Sequence, residues 1–191
     1  MDHARNREFV YESTLERDFL VVSLASPEVV DIHEQPPPVS FVHDDGRVAW
    51  HTFDMLLRLR DGRRAATDVK PKGKVVRSGI LEVHRLIREQ VGAQFADLYL
   101  VRTEDHVHPD DVADGELLLK ARRLADSDAD STVSRLVGCL HGWCRMSDLV
   151  LAAGIGGPAF NAAVRLVGDG VLEVRDRERI SLNCFVRRSR A

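Results

Sequence analysis

The chain has 191 residues, of which 44% are hydrophobic and 30% are charged, and this balance excludes an intrinsically disordered protein. No apolar run approaches the roughly 18 residues of a membrane span, and the polar N-terminus lacks the apolar core of a signal peptide, so no membrane partner is expected. Three cysteines are few and odd in number, which favours the reducing cytoplasm over a disulfide framework.

The charge is distributed unevenly along the chain. From Ser131 onwards there are nine arginines, no lysine and five acidic residues, a net charge of +4, whereas the whole chain carries −3. We expect two domains, residues 1–127 and residues 131–191, joined at the polar stretch DSDADS around Asp128. The basic second domain is the one expected to approach a polyanion.

The first domain is expected to be an α/β domain. STLERDFLVVSLAS predicts a helix with Ser13 as its N-cap, and EVVDIHE predicts a strand that ends at three prolines. Residues 39–71 predict three strands with two Asp-Gly hairpin turns. A helix from about Val75 to Gln90, the strand FADLYLVR and a helix in HPDDVADGELLLKARRLADS complete the domain. This order favours a mixed sheet flanked by helices.

The second domain is expected to be a small winged helix-turn-helix. TVSRLVGCLHGW, MSDLVLAAG and GGPAFNAAVRLVG predict three short helices, and VLEVRDRERISLNCFV predicts a hairpin. In such a domain the second of the paired helices lies on DNA and the hairpin forms the wing. The residues expected to contact DNA are Asn161 and Arg165 on that helix and Arg175, Arg177 and Arg179 in the wing. Binding of a protein partner is the alternative function for this domain.

Acidic residues and a lysine lie on adjacent predicted strands. Asp68 and Lys70 are two residues apart and therefore point to the same side of the sheet, and Asp54 lies on the neighbouring strand. Carboxylates that hold Mg²⁺ neutralise the charge of a reacting phosphodiester and activate a water, which a lysine can orient or deprotonate. The backbone carbonyl of Val69 is a further expected ligand. The alternative is an exposed ion pair between Asp68 and Lys70, which would contribute little to stability.

The motifs ES-x-LERDFL, EQP and D…D-x-K follow one another between about Phe9 and Lys70, and together they resemble the TnsA family. TnsA proteins are the endonuclease subunits of heteromeric, cut-and-paste bacterial transposons and have a restriction-endonuclease-like fold. The resemblance implies that Glu16 is the helix-borne acid, Asp54 the central acid, and Asp68 and Lys70 the (D/E)-x-K pair. It continues more loosely through the helix that precedes the predicted linker, and a C-terminal winged helix also occurs in the family.

The resemblance also implies a reaction and its partners. The protein would be a Mg²⁺-dependent endonuclease, with Mn²⁺ able to substitute, that cleaves double-stranded DNA at the 5′ ends of a transposon during excision. Its partners would be a DDE-type transposase subunit that cuts the 3′ ends and an AAA+ ATPase regulator, in the bacterial cytoplasm at the nucleoid. The chain departs from the family pattern at Phe53, where proline is usual, and at Asp68, where Glu or Gln is usual. The alternatives are a catalytically degenerate DNA-binding or assembly subunit and a restriction or repair nuclease of the same fold.

Two motifs have a second interpretation. Ser13 and Glu16 also form a capping box, in which Glu16 reaches back to the backbone of Ser13, and Glu12 is then the substitute acid. The segment CLHGWC has the residue types of a zinc site, but it offers too few ligands at the usual spacing. Buried thiols that pack a small helical domain are the favoured interpretation of its cysteines.

Four residues near the aspartates are assigned between a function and a structural role. His51 is either a general base or a partly exposed strand histidine, and Gln35 either touches the site or caps a turn. Lys72 and Lys74 directly follow the site and are expected to contact DNA phosphates, with a solvated loop as the alternative.

Overall fold

The computed structural model of the protein describes residues 9–176 and 178–189, which form two compact units. The N-terminal unit contains residues 9–24 and 28–108, and the C-terminal unit contains residues 25–27 and 109–189. The division after residue 108 precedes the polar stretch at which the sequence predicted a domain junction. Within the described residues, every helix is too short or too polar to span a lipid bilayer.

The elements of the N-terminal unit are, in chain order, α1 (Thr14–Ala25), β1 (Val29–Glu34), β2 (Val39–Val42), β3 (Val48–His51), β4 (Met55–Leu59), β5 (Arg64–Val69), α2 (Lys72–Ser78), α3 (Ile80–Gln90) and β6 (Leu98–Arg102). Strands β1, β4, β5 and β6 form one sheet in that order, in which β5 and β6 are parallel and the other neighbours antiparallel. Strands β2 and β3 form a separate antiparallel hairpin. The expected mixed sheet flanked by helices is therefore confirmed.

Strand β5 is buried along almost its whole length and carries Asp68. Every position from Ala65 to Val69 is buried, as expected for a strand that has a neighbour on each side. Phe53 and Ile87 belong to the same hydrophobic cluster as the small side chain of Ala66. The hydrophobic core therefore extends to the end of β5, where a polar side chain needs hydrogen-bond partners.

The single helix that the sequence predicted after β5 is two helices. Gly79 separates α2 from α3 and has a φ of 68°, in the left-handed region that glycine adopts without steric cost. Its N–H donates to the carbonyl of Val76 and closes α2. The buried face of α3 then consists of Ile80, His84, Leu86 and Ile87.

The elements of the C-terminal unit are α4 (Pro109–Arg123), α5 (Ser127–Gly138), β7 (Cys144–Arg145), α6 (Met146–Ala153), α7 (Gly157–Gly168), β8 (Leu172–Val174) and β9 (Phe185–Arg188). Strands β7, β9 and β8 form an antiparallel sheet in that order. Helices α5, α6 and α7 and the β8–β9 pair occupy the positions of the three helices and the hairpin that the sequence predicted. Helix α4, assigned from the sequence to the first domain, belongs to this unit.

The polar stretch around Asp128 forms the first turn of α5, so the predicted linker is not present there. Asp126 is the N-cap, and its Oδ1 accepts hydrogen bonds from the N–H groups of Asp128 and Ala129 at 3.1 and 3.0 Å. Acidic residues are favoured at this end of a helix because the unpaired N–H groups carry partial positive charge. The same acidic composition that resembles a linker therefore starts a helix.

Helix α7 is packed on several sides, against α4, α5, α6 and β8. Gly168 lies against α4, because an added Cβ would be 2.4 Å from Cδ1 and 3.1 Å from Cγ of Leu118. The missing side chain of Gly168 therefore sets how closely the two helices approach. The buried residues of α7 are Ala159, Ala162, Ala163, Val164, Arg165 and Gly168.

We expect Gly168→Ala to lower the free energy of unfolding by about 1–3 kcal/mol, the usual cost of adding a methyl group to a filled core. Gly138→Ala is the matched control, because Gly138 also ends a helix of this unit and an added Cβ there meets nothing within 4 Å. Chemical denaturation of each variant measures the change. If the destabilising effects of Gly168→Ala and Leu118→Ala are fully additive in the double variant, a clash between the added methyl group and Leu118 does not cause the loss of stability.

Candidate metal centre

The four residues implied by the TnsA resemblance all lie in the N-terminal unit. Glu16 is in the first turn of α1, and Asp68 is the next-to-last residue of β5, with Lys70 directly after that strand. Asp54 lies in the bend before β4, one residue ahead of the strand on which the sequence placed it. The antiparallel pairing of β4 with β5 brings Asp54 to the end of β5 that carries Asp68 and Lys70.

Two backbone contacts hold Asp54 in place. Its Oδ2 accepts a hydrogen bond from the N–H of Val69 at 2.7 Å, and its carbonyl accepts one from the N–H of Gln35 at 3.0 Å. Gln35 has a φ of 41°, which non-glycine residues rarely adopt, and its Nε2 donates to Glu12 at 3.4 Å. Gln35 therefore positions the backbone of Asp54. Val69 contacts Asp54 through its N–H, whereas the sequence pointed to its carbonyl.

The carboxyl group of Asp54 resists ionisation. Burial is the main cause that raises its pKa to about 6; the N–H of Val69 and the charge of Lys70 favour the ionised form, and the charges of Asp68 and Glu16 oppose it. The other two acids and the lysine of the expected set therefore all act electrostatically on Asp54. A cation bound beside Asp54 would relieve this repulsion.

Glu16 has the structural role at the start of α1 that the sequence offered as its alternative, but it reaches back to the backbone of Glu12 and not to that of Ser13. Its Oε1 accepts a hydrogen bond from the Ser13 hydroxyl at 2.8 Å, and its Oε2 accepts one from the N–H of Glu12 at 2.9 Å. The N–H of Glu16 in turn donates to Ser13 Oγ at 3.2 Å. These contacts satisfy donors at the start of α1 that have no partner within the helix. Glu16 thus stabilises the helix terminus while its charge still reaches Asp54.

Two histidines converge on Asp68. The Nε2 atoms of His51 and His84 lie 2.7 and 2.6 Å from the same oxygen, Oδ2, and Asp68 is 1% exposed. Burial alone would raise the pKa of Asp68, but the hydrogen bonds from the two imidazoles outweigh burial and lower it. An ionised carboxylate only accepts hydrogen bonds, so each Nε2 carries a proton in this arrangement. Asp68 is therefore not half of an exposed ion pair with Lys70.

Packing fixes the orientation of the two imidazoles. The ring centroid of Phe53 lies 4.7 Å from that of His51 and 5.2 Å from that of His84. His51 ends β3, Asp68 is on β5 and His84 is on α3, so a different element supplies each member of the group. Phe53 therefore has a definite structural role beside the site.

The sequence patterns did not identify His84 as a candidate site residue. This residue lies four positions after Ile80 and three before Ile87, on the face of α3 where the helical pattern is otherwise apolar. A histidine in an apolar stripe, shortly after an Asp-x-Lys motif, is the signal that could have identified it. His51 was considered only as a base or a strand histidine, and its contact with Asp68 depends on tertiary packing that the sequence does not encode locally.

His51, Asp68 and His84 can each offer one ligand atom to a metal, and these three atoms lie within 4.8 Å of one another. Imidazole nitrogens suit zinc and related transition metals, whereas Mg²⁺ takes mainly oxygen ligands. This group therefore fits a transition metal better than Mg²⁺. Asp54 offers the kind of oxygen ligand that Mg²⁺ prefers.

The two lysines expected to contact DNA lie on α2 and not on a loop. Lys72 forms an ion pair with Asp105 at 2.6 Å, and its N–H donates to Glu104 Oε2 at 2.9 Å. Lys74 is exposed. Lys74 is therefore better placed than Lys72 to meet a phosphate group.

Arg165 is a packing residue of α7. It is 8% exposed, its Nη2 lies 2.5 Å from Asp130 Oδ1, and its Nη1 donates to the carbonyls of Ala121 and Leu124 at 2.6 and 3.0 Å. It thereby satisfies carbonyls at the C-terminal end of α4, which have no partner within that helix. Asn161, on the same helix, is half-buried. Arg165 is therefore left out of the DNA surface that we propose below.

The arginines expected in the wing are paired with acidic side chains. The Nη2 of Arg175 lies 2.5 Å from Glu178 Oε1, and the Nε of Arg179 lies 3.5 Å from Asp114 Oδ1. Arg177 lies outside the described residues. These local pairs reduce the net positive charge that the segment between β8 and β9 would present to DNA.

Cys144 and Cys184 agree with the packing interpretation, whereas Cys139 does not. Cys184 is buried in the core of the C-terminal unit, Cys144 is half-buried and Cys139 is exposed. Burial raises the pKa of both Cys144 and Cys184, which disfavours the thiolate form that binds zinc. Over residues 9–176 and 178–189, no group with metal-ligand spacing includes a cysteine.

Comparison with known proteins assigns no family: no protein-family model matches the chain, and no curated protein matches it. The TnsA resemblance therefore remains a prediction that rests on the sequence motifs. The geometry around Asp54 and Asp68 is independent of that resemblance.

We expect Asp54→Asn to stabilise the metal-free protein at pH 7.5. The folded-state pKa of about 6 exceeds the ordinary value of 3.8, so ionising Asp54 lowers stability as the pH rises through about 6. The expected gain is about 1–2 kcal/mol, less than the ~3 kcal/mol of a two-unit shift because water partly screens the site. Asparagine keeps an acceptor for the N–H of Val69.

Urea denaturation of the wild type and of Asp54→Asn between pH 4 and pH 7.5 tests this expectation. The stability difference should shrink as the pH falls, because the wild-type carboxyl then takes up its proton in the folded state. A difference that is constant over this range would contradict the assignment of a raised pKa to Asp54.

Proposed function

We propose that the protein is a metal-dependent DNA endonuclease. The observation that carries this proposal is Asp54, whose pKa is about 6 because it is partly buried and lies near the charges of Asp68 and Glu16, with Lys70 acting on the same group. Converging carboxylates cost folding free energy unless a cation compensates them, and strongly perturbed groups concentrate at functional sites. Hydrolysis of a phosphodiester requires such a cation site together with an activated water.

The side chains would divide the work of hydrolysis among them. Asp54 and Asp68 would hold Mg²⁺, with the Val69 carbonyl and Glu16 as further ligands, and Mn²⁺ would substitute. The bound ion supplies neutralisation of the phosphate charge and lowers the pKa of a water. Asp54 must give up its proton before it can serve as a ligand, so activity should rise with pH through about 6. Lys70 would orient the attacking water or take its proton.

The TnsA resemblance supports a role in transposition. Under this proposal the N-terminal unit has a restriction-endonuclease-like fold, in line with its mixed sheet, and the C-terminal unit is a winged helix, in line with the order α5-β7-α6-α7-β8-β9. The protein would cleave double-stranded DNA at the 5′ ends of a transposon. A DDE-type transposase subunit and an AAA+ ATPase regulator would be its partners at the bacterial nucleoid.

Contact with DNA would involve exposed basic residues of both units. Lys74 is exposed on α2, four residues after Lys70, and would contact a phosphate group beside the site. In the C-terminal unit, α7 is packed against four other elements, so the hairpin side with Arg175 and Arg179 would contribute more than α7 itself. Release of these arginines from Glu178 and Asp114 would accompany binding.

A catalytically degenerate DNA-binding or assembly subunit is the second candidate. The Oδ2 of Asp68 accepts from both His51 and His84, and Glu16 accepts hydrogen bonds at the start of α1. The Oδ2 of Asp54 also accepts from the N–H of Val69, so three of the four expected residues already have hydrogen-bond partners, which favours this candidate. Binding of Mg²⁺ separates the two, because only the nuclease requires it.

We expect the wild-type protein to bind Mg²⁺ and to nick supercoiled plasmid DNA, and Asp54→Asn to lose both properties. Lys70→Met should still bind Mg²⁺ but should nick at least ~100-fold more slowly, since positioned proton transfer contributes about 10²–10⁴-fold. Calorimetric titration measures Mg²⁺ binding, and gel electrophoresis measures nicking in Mg²⁺ or Mn²⁺.

Lys120→Met is the matched control for Lys70→Met, because Lys120 is an exposed lysine of α4 in the other unit. This variant should nick at close to the wild-type rate. Nicking by Asp54→Asn at the wild-type rate would overturn the proposal. A wild-type protein that binds DNA but not Mg²⁺ would instead establish the degenerate subunit.

A further inference from the structure

We infer that His51, Asp68 and His84 form a binding site for a transition-metal ion of the Zn²⁺ class. This set shares Asp68 with the proposed Mg²⁺ centre but otherwise uses different side chains, and neither histidine has a role in the proposed hydrolysis. The inference goes beyond the proposed function and does not depend on DNA cleavage. It rests on the position, burial and chemistry of three side chains.

The three ligand atoms are already almost at the spacing that a metal requires. The two Nε2 atoms lie 2.7 and 2.6 Å from Asp68 Oδ2, and all three ligand atoms lie within 4.8 Å of one another. Zinc binds imidazole nitrogen and carboxylate oxygen at about 2.0–2.2 Å, so tetrahedral ligands lie roughly 3.3 Å apart. Each Nε2 would therefore need to move only about 0.6–0.7 Å away from Asp68 Oδ2 to admit the ion.

The group is held rigidly, which lowers the cost of ordering ligands around an ion. The side chains of Asp68, His84 and His51 are 1%, 7% and 18% exposed, and they belong to a central strand, a helix and the end of a hairpin. Phe53 contacts both imidazole rings and limits their rotation. His51 is the most exposed of the three.

The ligand types select the metal. Two imidazoles with one carboxylate are a known ligand set of zinc sites that keep a fourth position for water. Nitrogen ligands favour Zn²⁺ over Mg²⁺, which prefers a near-ideal octahedral set of oxygens. In the metal-free form two N–H groups compensate the buried charge of Asp68, and a divalent cation would take over that role while each neutral ring keeps its proton on Nδ1.

Titration of the full-length protein with Zn²⁺, in the absence of DNA and Mg²⁺, tests the inference. We expect one Zn²⁺ per chain, and Co²⁺ in its place should show the visible absorption of a site with low coordination number. His51→Gln and His84→Gln should each weaken Zn²⁺ binding by more than ~100-fold, because losing a residue that only hydrogen-bonds to a metal ligand costs at most about that much. His141→Gln is the matched control, because His141 is an exposed histidine flanked by Cys139 and Cys144.

His51→Gln is the decisive variant, because His84 is buried and its replacement can disturb folding. Circular dichroism confirms that each variant is folded before it is titrated. Equal Zn²⁺ affinity in folded His51→Gln and in the wild type would overturn the inference, as would loss of binding in His141→Gln alone. Because the titration contains neither DNA nor Mg²⁺, its failure leaves the endonuclease proposal to the nicking assay.

Discussion

The N-terminal unit depends on how one buried charge is compensated. Asp68 is the next-to-last residue of the central strand β5 and is 1% exposed. Burying an isolated carboxylate at such a position would cost several kcal/mol, and the group would take up a proton instead. Hydrogen bonds from His51 and His84 keep it ionised. Since each histidine comes from a different element, compensation of this charge also ties β3 and α3 to β5. This polar contact adds to the apolar packing of Phe53, Ala66 and Ile87 in the same part of the unit.

Asp54 shows the opposite response to burial, although it lies at the same end of the sheet. It is held by a single backbone N–H from Val69 and faces the negative charges of Asp68 and Glu16, so its pKa rises to about 6. Neighbouring carboxyl groups with pKa values displaced in opposite directions can take different roles in one reaction. Asp68 stays charged at any pH near neutrality, whereas Asp54 changes its charge just below it. The environment of each carboxylate, more than its place in a motif, therefore decides what it can do.

Local sequence patterns predicted the helices and strands well, but they predicted poorly which elements pack against one another. The buried strand β5 and the hydrogen bond between Ser13 and Glu16 depend on residues that are neighbours in the chain, so both could be predicted from the sequence. The sequence did not identify His84 because its contact is with Asp68, sixteen residues away along the chain. Only the packing of α3 brings His84 close to that strand and to the hairpin that carries His51. Arg165 was misread for a related reason: its spacing suggested an exposed helix face, but α4 folds back over α7 and buries it. The sequence placed helix α4 in the first domain because the change in net charge along the chain comes after this helix, whereas the structure divides the chain before it.

The two metal chemistries suggested for this unit compete for Asp68. A Zn²⁺ ion at the histidines would neutralise Asp68 and so remove one of the charges that raise the pKa of Asp54, which would favour the ionised Asp54 that Mg²⁺ needs. The same ion would also occupy Asp68 and deprive Mg²⁺ of a ligand. The first effect is small at neutral pH, because a group with a pKa of about 6 is already mostly ionised there. The loss of Asp68 as a Mg²⁺ ligand persists at every pH, so zinc should weaken Mg²⁺ binding near neutrality. The availability of each metal would then decide the role of this end of the sheet, which is a rigid scaffold with Zn²⁺ and a centre for hydrolysis with Mg²⁺.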